Sequence, residues 1–132
     1  MKKKWQALKE GDVLEVLAPG SGASAKTLAR IEEFVSSLGL TPKINDDLIS
    51  YGRFYANSDE YRVEHAKEAL CDSETKAIWN LKGGYGTTRL IPELMKVKAP
   101  SNTKLFIGFS DNTALHLFLH QQWGWATMHG PV

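Results

Sequence analysis

At 132 residues the chain has the size of one domain, able to bury about two thirds of the surface its unfolded form exposes. With 16 Lys and Arg against 15 Asp and Glu, its net charge of +1 excludes the electrostatic footprint of a nucleic-acid binder, and no apolar run approaches the length of a bilayer span. A single cysteine, Cys71, excludes an internal disulfide and suits a reducing cytoplasm.

The N-terminal run Lys2-Lys3-Lys4 reads as a solvated terminus, and Trp5 to Asp12 lacks the continuous apolar stretch of a signal peptide. Val13 to Ala18 forms a first strand, stopped by Pro19-Gly20. The next segment, about Ala25 to Leu38, carries Leu28, Ile31, Val35 and Leu38 on one helical stripe, with Gly39 as its C-terminal stop. Leu40 to Ile44 is a short strand that Pro42 confines to a poorly paired position. Asn45 to Asn57 has no clear period and reads as an ordered surface loop. Ser58 caps a helix whose first turn holds Asp59 and Glu60, favourable at the positive end of the helix dipole, and Cys71 near its end reads as a half-buried structural thiol.

Ala77 to Leu81 is a buried strand. A short helix occupies Thr87 to Met95, with Pro92 near its first turn or kinking it. Lys104 to Phe109 is the fourth strand, Asn112 to Trp123 a helix, and Trp125 to Met128 a fifth strand. Strands alternating with helices define an α/β domain: a mainly parallel sheet with helices on both faces, Rossmann- or flavodoxin-like. Ligands of such sheets bind beyond the carboxyl ends of the strands. The Pro19–Ser24 loop, the Lys82–Gly86 loop and Ser110 all fall there, so three segments distant in sequence converge on one rim.

Within that rim, Phe106-Ile107-Gly108-Phe109-Ser110-Asp111-Asn112-Thr113 runs from an apolar strand through serine straight into a helix. Such a junction lifts the hydroxyl out of the sheet and sets it beside the unpaired N–H groups of the first helical turn. The local pattern admits two readings: Ser110 as a helix N-cap, or Ser110 as a nucleophile with the Asp111 N–H as its first oxyanion donor.

Three further stretches accompany this one: Gly11-Asp12 with Val16-Leu17-Ala18-Pro19-Gly20-Ser21, Asn80-Leu81-Lys82-Gly83-Gly84-Tyr85-Gly86, and His129-Gly130-Pro131. Together, and in this order, they resemble the LD-carboxypeptidase family of serine peptidases, which includes murein tetrapeptide carboxypeptidases and microcin C immunity peptidases. The resemblance implies that Ser110 is the nucleophile and that the oxyanion hole uses the N–H of Asp111 and one from Gly83 or Gly84. It also implies a general-base His and its Glu in a separate C-terminal domain beyond Val132. The chain thereby reads as residues 1–132 of such an enzyme, its N-terminal nucleophile-bearing domain, inactive alone. Its substrate would be a murein-derived peptide cleaved before a C-terminal D-amino acid. No cofactor or metal is implied. Lys82 departs from the family's usual Arg before the Gly-Gly pair, keeping the charge and losing the planar fork.

Other motifs are weaker. Lys82-Gly83-Gly84-Tyr85-Gly86 lacks the G-K-[ST] ending of a phosphate loop, so a flavodoxin-like anion or nucleotide binder stands as an alternative, beside a noncatalytic binding module that kept the fold. His116 and His120 have the spacing of a two-histidine metal site but lack the glutamate of H-E-x-x-H, and packing roles fit them better. His129 is a conceivable base for Ser110 by position, although the resemblance makes it structural. Trp123, Trp125, Met128 and Val132 are expected to form an apolar patch through which the chain self-associates as a homo-oligomer.

Overall fold

The computed structural model describes residues 1–49 and 54–130. In chain order it comprises β1 (Val13–Leu17), α1 (Ala25–Ser37), β2 (Thr41–Lys43), α2 (Asp59–Cys71), β3 (Thr75–Asn80), α3 (Ile91–Leu94), β4 (Leu105–Gly108), α4 (Thr113–Phe118) and β5 (Met128–His129). The strands form one parallel sheet in the order β2-β1-β3-β4-β5. This is the flavodoxin-type order, in which the connections leaving β1 and β3 diverge to opposite sides and open a crevice between them.

The period of two along the strands divides the core. Leu17, Ile78 and Phe106 face α2, α3 and α4 and pack with Val63, Leu70, Leu94, Leu115 and Trp125. Leu14, Val16 and Ala77 face α1 and pack with Leu28 and Val35. Ser24 and Ser58 cap α1 and α2 by accepting from the N–H groups of Thr27 and Tyr61. Pro92 sits in the first turn of α3, where its missing N–H costs nothing. β2, which contains Pro42, is an edge strand paired to β1 alone.

Several expectations change. Helix α1 ends at Ser37, so Leu38 leaves the apolar stripe and is 56% exposed as the chain turns through Gly39 at φ +77°. The segment after Lys43 contains a 3-10 turn, Asp46–Leu48, that buries Leu48; residues 50–53 of the expected loop lie outside the described residues. Cys71 is exposed rather than half-buried. The basic N-terminus is not merely solvated, because Lys3 N–H donates to Gly124 O at 2.7 Å and Lys3 O accepts from Ala126 N–H at 2.8 Å. That pairing takes Trp125 out of β5, which is confined to Met128–His129. Helix α4 passes at Phe118 into a π turn, Leu119–Trp123, closed by left-handed Gly124. Trp123 and Trp125 are buried and stack edge-on at 5.4 Å, so the expected patch of exposed tryptophans does not exist; Met128 is 43% exposed and Val132 is outside the described residues.

Away from the carboxyl ends of the strands, the α2 face buries a charged network. The Glu15 carboxylate is 3.2 Å from His65 Nε2, accepts from Thr75 Oγ1 at 2.8 Å and meets Lys43 Nζ at 3.3 Å. Buried Lys104 donates to the carbonyls of Asp72 and Thr75, beyond the C-terminus of α2, where cations are favoured. Burial alone would raise the Glu15 pKa; hydrogen bonds from His65 and Thr75 and the Lys43 charge outweigh it and hold the carboxyl below its ordinary value of 4.5. A depressed carboxylate contributes stability above its unfolded pKa and loses it as pH falls through the folded one. Chemical denaturation as a function of pH should show stability falling progressively below about pH 4.5, the ordinary glutamate value. Glu15→Gln should flatten that acid limb, and Glu15→Ala should cost about 3 kcal/mol or more at neutral pH by stranding its buried partners.

Candidate active site

The end of β4 delivers Phe109 in fully extended geometry, φ −149° and ψ 177°, and the chain is helical by Asn112, at φ −65° and ψ −10°. Ser110 makes the change in one residue. At φ +57° it is the one non-glycine with positive φ among the described residues. Left-handed geometry costs an L-residue about 1–2 kcal/mol, so the surroundings must impose it. This is the strained backbone of a strand-to-helix elbow, and it excludes an ordinary N-cap, whose residue is extended. The serine is exposed, and no hydrogen bond from the described residues occupies its hydroxyl.

The loop after β3 meets the elbow at Gly83. A Cβ placed on Gly83 would stand 2.8 Å from Ser110 Cβ and 3.0 Å from both Ser110 Oγ and Asp111 N, so only glycine permits the approach. Gly84, at φ +93°, instead turns against Ser21 of the β1 loop. Among the described residues, the N–H groups of Gly83, Gly84 and Asp111 find no acceptor. The structure therefore gathers Ser110, Asp111 and Gly83 at one point, with Gly84 beside them facing the β1 loop. Lys82 is exposed at the mouth. There, Tyr85 and Phe54, 64% and 74% exposed, meet edge to face at 5.9 Å.

None of the described histidines hydrogen-bonds to Ser110. His116 is buried, with Nε2 at 2.8 Å from Gly108 O and Nδ1 at 2.7 Å from Thr127 Oγ1. Nε2–H donates to the carbonyl and Nδ1 accepts from the hydroxyl, a neutral tautomer consistent with burial lowering its pKa. Both ring nitrogens are thus engaged within the fold, while His120 is exposed. His129 stacks 5.5 Å from the His116 ring, and no hydrogen bond joins it to Ser110.

Three side chains that sequence reading gave no role, Asn80, Asn112 and Arg62, build the floor and walls together with the Asp111 carboxylate. The buried side chains of Asn80 and Asn112 flank Gly108 beneath the turn, and Asn80 Nδ2 donates to Ile107 O at 2.6 Å. The Asp111 carboxylate accepts from Thr87 N–H at 3.0 Å. Arg62, 1% exposed on α2, donates to the carbonyls of Pro19 and Gly86. A buried arginine amid helical polar residues is invisible to periodicity; an Asn ending an apolar strand was the one available signal.

The rim thus combines a flavodoxin-type sheet with a strained serine at the carboxyl end of β4 and N–H groups around it that find no acceptor among the described residues. Residues 14–130 match the family model of the LD-carboxypeptidase N-terminal domain, and the chain belongs to that family. Over 119 residues it is 44% identical to a Rickettsia conorii protein named as a candidate carboxypeptidase, covering 89% of this chain and 37% of that protein. It is 31% identical over 130 residues to the murein tetrapeptide carboxypeptidase of Pseudomonas aeruginosa, covering 97% of this chain and 41% of that one. An MccF-like protein of Bacillus anthracis superposes with a TM-score of 0.83 at 28% identity, over 98% of this chain and 40% of its own. The chain thus spans about two fifths of the length of these relatives.

The Ser110–Gly83 contact predicts opposite responses on its two sides. Gly83→Ala should lose about 1–3 kcal/mol in urea denaturation, because the new methyl has no room. Ser110→Gly relieves the left-handed strain and should be at least as stable as the parent. A loss above about 1 kcal/mol for Ser110→Gly would contradict a strained elbow.

Proposed function

We propose that this domain is the nucleophile-bearing part of a serine LD-carboxypeptidase that removes a C-terminal D-amino acid from murein peptides during their recycling in the cytoplasm. The observation that carries the reading is Ser110 at φ +57° pressed against Gly83. Ser110 Oγ attacks the carbonyl before the D-residue as its proton passes to a general base. The carbonyl oxygen, now an oxyanion, accepts hydrogen bonds from the N–H groups of Asp111 and Gly83. Collapse of the tetrahedral intermediate expels the D-amino acid, whose nitrogen takes the proton, and leaves an acyl-serine that water hydrolyses. Oxyanion donors of this kind contribute about a hundredfold or more each to turnover.

The base is assigned to a His, oriented by a Glu, in a C-terminal domain in cis or in trans. Two points support this: the relatives are more than twice as long as the chain, and no described histidine hydrogen-bonds to Ser110. Lys82, exposed at the mouth, carries a charge suited to the substrate carboxylate. No helix among the described residues is long and apolar enough to cross a membrane.

The domain alone should release no D-alanine from an L,D-linked tetrapeptide above background, measured by liquid chromatography and mass spectrometry. In a protein that supplies the missing domain, Ser110→Ala should lower turnover on the order of a millionfold. Release by the domain alone, abolished by Ser110→Ala, would place the base within these residues and overturn the division of labour. Activity that survives Ser110→Ala would overturn the nucleophile.

A further inference from the structure

The oxyanion geometry requires two loops, one after β1 and one after β3, to stay pressed on the elbow, although both are glycine-rich and Tyr85, the one large apolar side chain between Lys82 and Gly86, is 64% exposed. A Cβ on Gly20 would lie 2.7 Å from Gly83 O and 2.9 Å from Asp111 Oδ2, so the two loops and the elbow touch through backbone and one carboxylate. Ser21 N–H donates to Gly83 O at 3.1 Å, and Ala56 N–H to Gly20 O at 2.9 Å.

Two side chains fasten this stack from opposite ends. Arg62 Nη1 donates to Pro19 O at 2.5 Å, before Gly20, and to Gly86 O at 3.0 Å, after Gly84. Its Nε donates to Asn57 O at 3.2 Å and its Nη2 pairs with Asp59, which Arg89 also meets at 2.8 Å. The Tyr55 ring lies 5.0 Å from the Arg62 guanidinium carbon, and left-handed Gly86 has no room for a side chain against either residue. A planar group with five donors in a fixed fork can hold three carbonyls and a carboxylate at once; an ammonium has only three donors on one nitrogen. From the elbow side, Asp111 Oδ2 accepts from Thr87 N–H, directly after Gly86.

We propose that Arg62 and the Asp111 carboxylate are positioning residues that clamp the β1 and β3 loops onto Ser110 and so set the oxyanion geometry. The catalytic meaning of the clamp rests on Ser110 being the nucleophile; its mechanical existence does not. Neither residue touches the reacting atoms through these groups. Both act through Gly83 and its neighbours.

Native-state hydrogen exchange by NMR on the full chain tests the clamp, with each variant read at the opposite end. Asp111→Ala should speed exchange at Ser21 and Ala56, and Arg62→Met at Thr87, by about tenfold or more, the weight of a hydrogen bond to a charged group. Ile78 and Phe106, in the central strands, should keep their parental rates. Asp111→Asn, whose amide oxygen still accepts from Thr87, should restore near-parental exchange, and Arg62→Lys should fall between Arg62→Met and the parent. Equal acceleration at Ile78 and Phe106 would show a general loss of stability and overturn the proposal, as would unchanged rates at Ser21 and Ala56 in Asp111→Ala. If Arg62→Met fails to fold, the Asp111 pair decides alone. Turnover that survives Ser110→Ala in a protein that supplies the C-terminal domain would count against the nucleophile and leave the exchange result standing.

Discussion

One serine held where serine does not want to be organises this domain. Ser110 at φ +57° converts an extended strand into a helix within a single residue and turns its hydroxyl toward solvent. The strain of about 1–2 kcal/mol is sustained because neighbouring parts leave the turn no alternative. Asn80 and Asn112 fill the space beside Gly108, His116 holds the Gly108 carbonyl, and Gly83 closes against the serine from above. Each of these would be a minor packing detail around an unstrained turn. Around this one they form the frame that keeps the hydroxyl and two backbone donors in register.

The sheet separates stability from chemistry along its strands. The Glu15, His65, Thr75 and Lys43 network and the Lys104 contacts beyond the end of α2 occupy the region away from the rim, where a polar group can be buried only with its partners. The carboxyl ends carry glycines, unpaired N–H groups and exposed aromatics, features that stabilise nothing alone. The topology makes the division possible. In the order β2-β1-β3-β4-β5, the connections after β1 and β3 part company, so the loops bearing Gly20 and Gly83 meet over the sheet without a helix filling the gap.

The fold is shared with longer proteins, and the chain corresponds to about two fifths of them. That proportion has a chemical counterpart. A serine elbow with oxyanion donors stabilises a transition state, but proton transfer needs a base within hydrogen-bond reach of the hydroxyl. In the described residues His116 is committed to Gly108 and Thr127, and His129 is exposed, in tilted contact with the His116 ring. Under the proposed function, Ser110 therefore depends on a proton acceptor outside the described residues.

Local chemistry determined the sequence-legible part of this structure. Apolar alternation and helical spacing specify the strand and helix order, Ser24 and Ser58 announce two helix starts in their own hydroxyls, and the Gly-Phe-Ser-Asp and Gly-Gly-Tyr-Gly runs mark the rim, because each depends on residues within one or two turns of chain. Tertiary structure decided what depends on distant partners. Pairing of Lys3 beside Trp125 shortened β5 and, with α4, buried both tryptophans expected at the surface. Gly83, rather than Gly84, reached Ser110 because Gly84 is taken up against Ser21. Arg62 became a buried clamp only through carbonyls 43 and 24 positions away along the chain. A sequence states which groups exist and how their neighbours bend the backbone; which carbonyl a guanidinium finds across a sheet is settled when the whole core closes.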